Sequence, residues 1–356
     1  MAFIELNSGK LKLNYDHLNK LFKKHGIEWS VVTKILCGNK EYLTRLLNMG
    51  INQYSDSRIS NLKTIKSIDK NAQTIYIKPP AKGVIKEVIQ YADISTNTDF
   101  HTIKMLSEEA KKQNVVHKII IMIDLGELRE GVMREDFIEF YSKVFQMPNI
   151  EIIGLGTNLS CLYGVLPNND KLIQLSLYKQ LVEAKFNIKI PYISGGSSVT
   201  IPLLLKQSLP KGINHFRIGE TLFMGSDVFN NCRFEAMENN IFKLYAEIIE
   251  LYEKPLIPSG ELGKNLEGKT ICFDESDYGK TAVRAIVDIG LLDIDMKHLD
   301  PIDTDIKYFG ATSDMVVLDL GDNAKNYKVG DLVEFTMDYM GIVRIMNSKY
   351  IEKRIA

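Results

Sequence analysis

The sequence predicts a (β/α)8 TIM barrel followed by a separate C-terminal β domain. Two observations predict the barrel. From residue 29 to 222, eight short apolar runs recur, and amphipathic stretches such as "RISNLKTIKSI" and "HTIKMLSEEAKKQ" lie between them. The apolar spacing of three and four in those stretches fits helices lying on a sheet. The third observation is a change of composition after residue 255, where Gly- and Asp-rich turns separate runs such as "TAVRAIVDIG", "MVVLDLG" and "DLVEFTMDY" without a strong helix.

Taken in order, "MAFIELN" is strand-like and can pair with the C-terminal domain. The barrel strands are "WSVVTKIL" (29–36), "QYSDS" (53–57), "TIYIKP" (74–79), "ADISTNT" (92–98), "HKIIIMIDLG" (117–126), "IEIIGLGTNL" (150–159), "YISGGSS" (192–198) and "HFRIGETL" (215–222). Eight strands alternating with helices favour a closed barrel, although a doubly wound open sheet shares the pattern. A helical pattern, "RFEAMENNIFKLYAEIIELYEK" (233–254), ends at Pro255. The expected domains are therefore 8–254 for the barrel and 255–356, with 1–7, for the β domain.

Composition narrows the partners. A net charge of −1 argues against nucleic acid or anionic membrane, both of which select basic surfaces. No apolar run approaches the roughly 20 residues of a membrane span, and the N-terminus has no apolar signal core. The four cysteines form no CxxC pair. These features predict a cytoplasmic protein with reduced thiols.

Barrels of this kind place their chemistry at the C-terminal ends of the strands. Those ends carry Lys34, Asp56, Ser57, Lys78, Thr96, Asn97, Asp124, Arg129, Thr157, Asn158, Ser197, Ser198 and Arg217, a dense polar set for such apolar segments. In "SGGSSVTIPLLLKQ" (194–207), Gly195 and Gly196 let backbone approach a ligand, and two hydroxyls precede a helix. "RIGETLFMG" places Gly219 at a second turn. Loops after strands seven and eight commonly hold phosphate, while the plainer reading is two turn glycines with a serine N-cap. Lys34 can snorkel or join an ion pair. Opposite a phosphate site, a lysine can also form a Schiff base with an aldehyde. An aldehyde that carries a phosphate is pyridoxal 5'-phosphate. Arg217 would then donate to the pyridine nitrogen and leave it unprotonated, favouring simple proton removal and return at Cα over transamination. Its plainer reading is an ion pair with Glu220 or another carboxylate.

These residues resemble the alanine racemase family of fold-type III pyridoxal-phosphate enzymes, and within it the ornithine racemase branch. The segments "VVTKILCGN", "YSDSRISNLK", "YADISTNT", "IIIMIDLGELREG", "GLGTNLSCLYGV", "SGGSSVT", "RIGETLFMG" and "GATSDMVVLDL" carry the resemblance over nearly the whole chain. It implies that Lys34 holds the cofactor as a Schiff base and serves as one base. It implies that Arg129 lies near the cofactor hydroxyl and the substrate carboxylate, that Asn158 packs where the family has a histidine on the ring, and that Arg217 meets the ring nitrogen. Ser197, Ser198, Gly219 and Glu220 match the phosphate contacts. The family works as a head-to-tail homodimer with shared active sites.

The chain departs from the family pattern in three places. A phosphate-contacting tyrosine after the lysine is replaced near Gly38. A lysine two residues before the aspartate of the fifth strand is replaced by Met122. The second base, a tyrosine in the β domain, is replaced by Leu291 in "DIGLLDID" (288–295). Cys161, Asp293, Tyr339 and Tyr350 are the alternatives for that base, and Cys161 is equally readable as a small buried hydrophobe. Asp293, Asp295 and Asp314 add acidic groups that suit a distal ammonium, or that simply occupy turns. The expected activity is racemisation of a basic amino acid, ornithine foremost, with lysine, arginine or alanine as alternative substrates. The competing readings are a pyridoxal-phosphate carrier without turnover, a metal-assisted aldolase and a sugar-phosphate barrel. The aldolase is poorly supplied with ligands, since 255–356 offers only His298 and Cys272 as nitrogen or sulfur donors.

Overall fold

A computed structural model describes residues 1–264, 268 and 270–356. The chain divides into two compact units, residues 8–239 and residues 1–7 with 240–356. The first strand, β1 (Phe3–Leu6), belongs to the second unit.

The larger unit is a parallel barrel. Helix α1 (Ser8–Lys24) leads into β2 (Glu28–Val32), α2 (Lys40–Leu47), β3 (Gln53–Asp56), α3 (Ile59–Ile68), β4 (Gln73–Tyr76), α4 (Ile85–Tyr91) and β5 (Ile94–Asn97). Then come α5 (Phe100–Lys112), β6 (His117–Met122), α6 (Phe137–Phe145), β7 (Ile150–Gly156), α7 (Asn169–Phe186), β8 (Tyr192–Ser194) and β9 (Gly196–Ser197). Short α8 (Ile201–Leu205), β10 (His215–Ile218), short α9 (Glu220–Met224) and the two-residue strands β11 (Ser226–Asp227) and β12 (Cys232–Arg233) complete the unit. The parallel sheet runs β8-β7-β6-β5-β4-β3-β2-β10-β9. Because β8 and β9 are one segment interrupted at Gly195, β8 pairs with β7 while β9 pairs with β10, and the sheet returns on itself with eight staves. The predicted seventh strand is thus split. Gly196 sits where an added Cβ would lie 2.1 Å from the Phe216 ring, so only glycine lets β9 approach β10.

The barrel interior has two chemistries. Ile75, Ile94, Ile120 and Met122 pack as a buried apolar cluster. Gln53, Ser194, His215 and Arg217 are buried and joined by hydrogen bonds that cross between strands. Met122 is part of the apolar side.

The second unit contains β13 (Phe242–Pro255), β14 (Thr281–Val287), β15 (Leu299–Pro301), β16 (Lys307–Ala311), β17 (Val316–Asp319), β18 (Leu332–Met337), α10 (Tyr339–Asn347) and β19 (Glu352–Ile355). β1 lies antiparallel to β13 and parallel to β19. Two expectations fail here. The predicted helix at 233–254 is largely strand β13, so 240–254 join the sheet unit rather than the barrel. The reason is its period of two: Phe242, Leu244, Ala246 and Ile248 are buried, with half-buried residues between them, and three strands pair along it. A helix is present where none was expected, α10, capped by Asp338, whose carboxylate accepts the Gly341 N–H at 2.8 Å. Among the described residues no helix is long and apolar enough to cross a membrane.

Candidate active site

Lys34 does not lie inside a strand. β2 stops at Val32, and the buried Asp56 carboxylate draws the Thr33 hydroxyl to 2.7 Å. A single 3-10 turn, Lys34–Leu36, follows, and the Lys34 side chain is exposed at the mouth. Asp56 also accepts the Arg58 N–H at 2.8 Å and the Asn61 amide at 3.1 Å. Burial pushes the Asp56 carboxyl above its ordinary value, although these bonds and the Lys34 charge pull the other way. A buried carboxylate thus fixes the backbone that presents the lysine.

The predicted phosphate residues leave β10, which pairs with β2, and β9, which pairs with β10 on its other edge. Arg217 pairs with Ser30 of β2 on one side and Ser197 of β9 on the other. The Thr221 N–H donates to Ser198 Oγ at 3.2 Å, tying the two turns together. Ser197 and Thr200 form a reciprocal capping box. A Cβ on Gly219 would stand 3.2 Å from Val32 Cβ, so this turn lies close against the end of the lysine's strand. Glu220 opens α9 and is half-buried.

Arg217 is 6% exposed. Its Nη1 donates to Ser194 O at 3.0 Å and to Ser194 Oγ, and its Nη2 donates to Thr157 O and Asn158 Oδ1, each at 2.7 Å. All four bonds leave from the two Nη atoms, so Nε–H carries no hydrogen bond among the described residues. Burial pushes the guanidinium down to about 10, with Glu130 opposing and Arg129 adding to the fall. It remains charged at neutral pH.

The network continues upward. Asn158 Nδ2 donates to Glu130, and Arg129 holds the same carboxylate through Nε and Nη2. The Glu130 bond raises the Arg129 pKa, and the Cys161 side chain adds to the rise. Asn158 is therefore a bridge between two arginines. Below this, Glu127 is 2% exposed and accepts the N–H groups of Ser160, Cys161, Tyr163 and Val165 at 2.8–3.1 Å. Burial pushes its carboxyl up, yet these backbone donors outweigh that and hold it below its ordinary value. The loop that carries Cys161 is thus wrapped on one carboxylate, and Cys161 itself is exposed rather than a buried hydrophobe.

Asp293 and Asp314 belong to the other unit. Asp293 accepts the Ser348 hydroxyl at 2.8 Å and the Gly290 N–H at 3.4 Å, which makes it a loop cap. Asp314 is exposed and accepts the Ser313 hydroxyl at 2.9 Å. Tyr350 is 86% exposed, and Tyr339 opens α10. Sequence reasoning missed Glu127, Glu130, Ser194 and His215. Only the last had a signal: His215 and Arg217 are two apart on one strand and must share a face.

A closed parallel barrel, a lysine at the end of its first stave and a separate sheet unit define the alanine racemase fold. The crystal structure of alanine racemase from Bartonella henselae with covalently bound pyridoxal phosphate superimposes with a TM-score of 0.75 at 16% identity, covering 100% of this chain and 99% of that one. Residues 6–227 match the family "Alanine racemase, N-terminal domain", and the chain belongs to that family. It is 36% identical to ornithine racemase from Acetoanaerobium sticklandii, over 99% of both chains. It is 32% identical to lysine racemase from Thermotoga maritima, over 98% of this chain and 96% of that one.

Proposed function

We propose that this protein is a pyridoxal-phosphate-dependent racemase of a basic amino acid, ornithine foremost. The observation that carries the site is the placement of Lys34, Gly219 and Ser198 on three adjacent staves with Arg217 beneath them. The full-length likeness to an ornithine and a lysine racemase supports the substrate class.

The donor set fits the cofactor. Lys34 would bind its aldehyde, and Ser197, Ser198 and the turn at Gly219–Glu220 its phosphate. Arg217, which can only donate, keeps one unengaged N–H for a ring nitrogen. Asn158 would lie against the ring. When bound, pyridoxal phosphate acidifies the Cα proton of an attached amino acid. Lys34 removes or returns that proton on one face. Cys161 is the better candidate for the other face, because both Asp293 oxygens serve a loop. Arg129, fixed by Glu130, would hold the substrate carboxylate. For the distal ammonium, Asp314 is the better candidate of the two, since it is exposed and, among the described residues, only one of its oxygens accepts a hydroxyl.

A head-to-tail homodimer in the cytoplasm completes the proposal. It is supported by the family resemblance and by exposed apolar side chains on the sheet unit, including Leu292 at 78% and Tyr350 at 86%. A carrier without turnover is disfavoured by the second unit, which such a carrier does not need.

The test is an amino-acid panel in heavy water. Ornithine should lose optical rotation while deuterium enters Cα, and Lys34→Ala should abolish both. Absence of exchange with ornithine, lysine, arginine and alanine would refute the activity. Asp314→Asn should raise KM for ornithine about tenfold while sparing alanine, the scale of one lost charged contact.

A further inference from the structure

A line of hydrogen bonds runs through the polar side of the barrel from Arg217 to its floor. Arg217 Nη1 donates to Ser194 Oγ. Ser194 Oγ lies 2.7 Å from His215 Nδ1, and His215 Nε2 lies 3.0 Å from Gln53 Oε1. Gln53 Nε2 donates to the Tyr192 hydroxyl at 3.2 Å, and that hydroxyl donates to Glu28 Oε2 at 2.9 Å. Glu28 lines a cavity of about 500 Å³ at the barrel floor with Tyr15, Asn19, Lys23 and Trp29.

The direction of the bonds follows from the carboxylate end. Glu28 accepts, so the Tyr192 hydroxyl donates to it and accepts the Gln53 amide N–H. Gln53 Oε1 is then the atom that faces the imidazole, so His215 is the Nε2–H tautomer. Its Nδ1 is left to accept the Ser194 proton, while Ser194 Oγ accepts from Arg217. Five side chains from β2, β3, β8 and β10 have one consistent orientation, and the other imidazole tautomer would set a bare Nε2 against Gln53 Oε1, acceptor against acceptor. The imidazole faces Arg217, Ser194, Gln53 and the Tyr192 ring, whose centroid is 5.0 Å away, and Arg217 is the only charged group among them. Burial, and then that charge, keep it neutral.

We propose that Ser194, His215, Gln53, Tyr192 and Glu28 form one positioning relay, which locks Arg217 from beneath and sets how its free Nε–H meets the cofactor's ring nitrogen. The relay uses none of the residues that hold phosphate or move protons. Its last link rests on the cofactor reading of the site; its first five do not.

Nitrogen-15 NMR of the cofactor-free protein tests the relay itself. His215 should stay neutral as the Nε2–H tautomer from about pH 8 to about pH 5. An Nδ1–H tautomer, or titration in that range, would overturn it. With pyridoxal phosphate labelled at the ring nitrogen, His215→Leu and Tyr192→Phe should both move the ring-nitrogen resonance and weaken cofactor affinity about three- to tenfold. His215→Asn, which can still accept the Ser194 proton, should recover most of the effect. Tyr192→Phe removes one hydroxyl from a half-buried ring, so it serves where His215→Leu fails to fold. A ring-nitrogen resonance unmoved in Tyr192→Phe would overturn the coupling. A wild-type chain that takes up no pyridoxal phosphate would instead overturn the cofactor reading, so the two failures are told apart.

Discussion

Two buried histidines tie this fold to pH. Burial holds His117, which meets Ser95 Oγ at 2.8 Å, at about 4, and burial with the Arg217 charge holds His215 at about 3. Both lie below the ordinary histidine value near 6.5. The unfolded chain therefore binds more protons below that value. The stability from keeping them neutral is complete above about pH 6.5 and falls as pH drops toward 4, by up to about 1.4 kcal/mol per pH unit per histidine. Urea midpoints at pH 7, 6 and 5 should fall in step, and His117→Gln should halve the slope. Glu127→Gln should loosen the 160–165 loop, because an amide cannot accept four N–H groups. About 2 kcal/mol of local stability, or roughly thirtyfold faster exchange at the Cys161, Tyr163 and Val165 amides, is expected. Unaltered exchange there would show that the carboxylate is not what holds the loop. At this scale the sequence was only half informative. Lys34, Arg217 and Ser198 sit at strand ends and could be found by position. Glu130 between two arginines, or Gln53 meeting His215 across 162 residues of chain, depends on which staves face each other inside a closed barrel.

At the scale of elements, the barrel staves were legible because each is a short apolar run bounded by polar turns. Their ends were less so. β2 ends at Val32 although the Thr33 N–H still donates to Ser55 O at 2.9 Å, and Asp56, from the next stave, holds the Thr33 hydroxyl, which no local propensity encodes. Strand β13 was misread for a clear reason: "FKLYAEIIELYEK" is rich in Glu, Leu and Lys, and pairing on both edges overrides that preference. Helix α10 was hidden behind the strand-like "DLVEFTMDY", whose pairing ends at Met337. The break between β8 and β9 makes its own prediction. Gly196→Ala would drive a methyl into the Phe216 ring and should destabilise the barrel by about 3 kcal/mol or more, measured by chemical unfolding. Adding Phe216→Leu should recover part of the loss.

For the whole molecule, the first strand of the chain is built into the sheet formed by residues 240–356. Phe3–Leu6 pairs with β13 on one edge and with β19, at the far end of the sequence, on the other. Removing residues 1–6 should therefore speed amide exchange along β13 and β19 while leaving β5 and β6 of the barrel unaffected. Equal acceleration everywhere would mean that the two units unfold together. The pairing of Leu6 with Phe242, followed by the bond from the Asn7 N–H to Ile241 O at 2.8 Å, has one more consequence. Topologically, β1 and β13 are the arms of a hairpin, and its tip is the entire segment 8–239. A gene in which that segment is exchanged for a two-residue Asn-Gly turn should yield a small self-contained sheet protein.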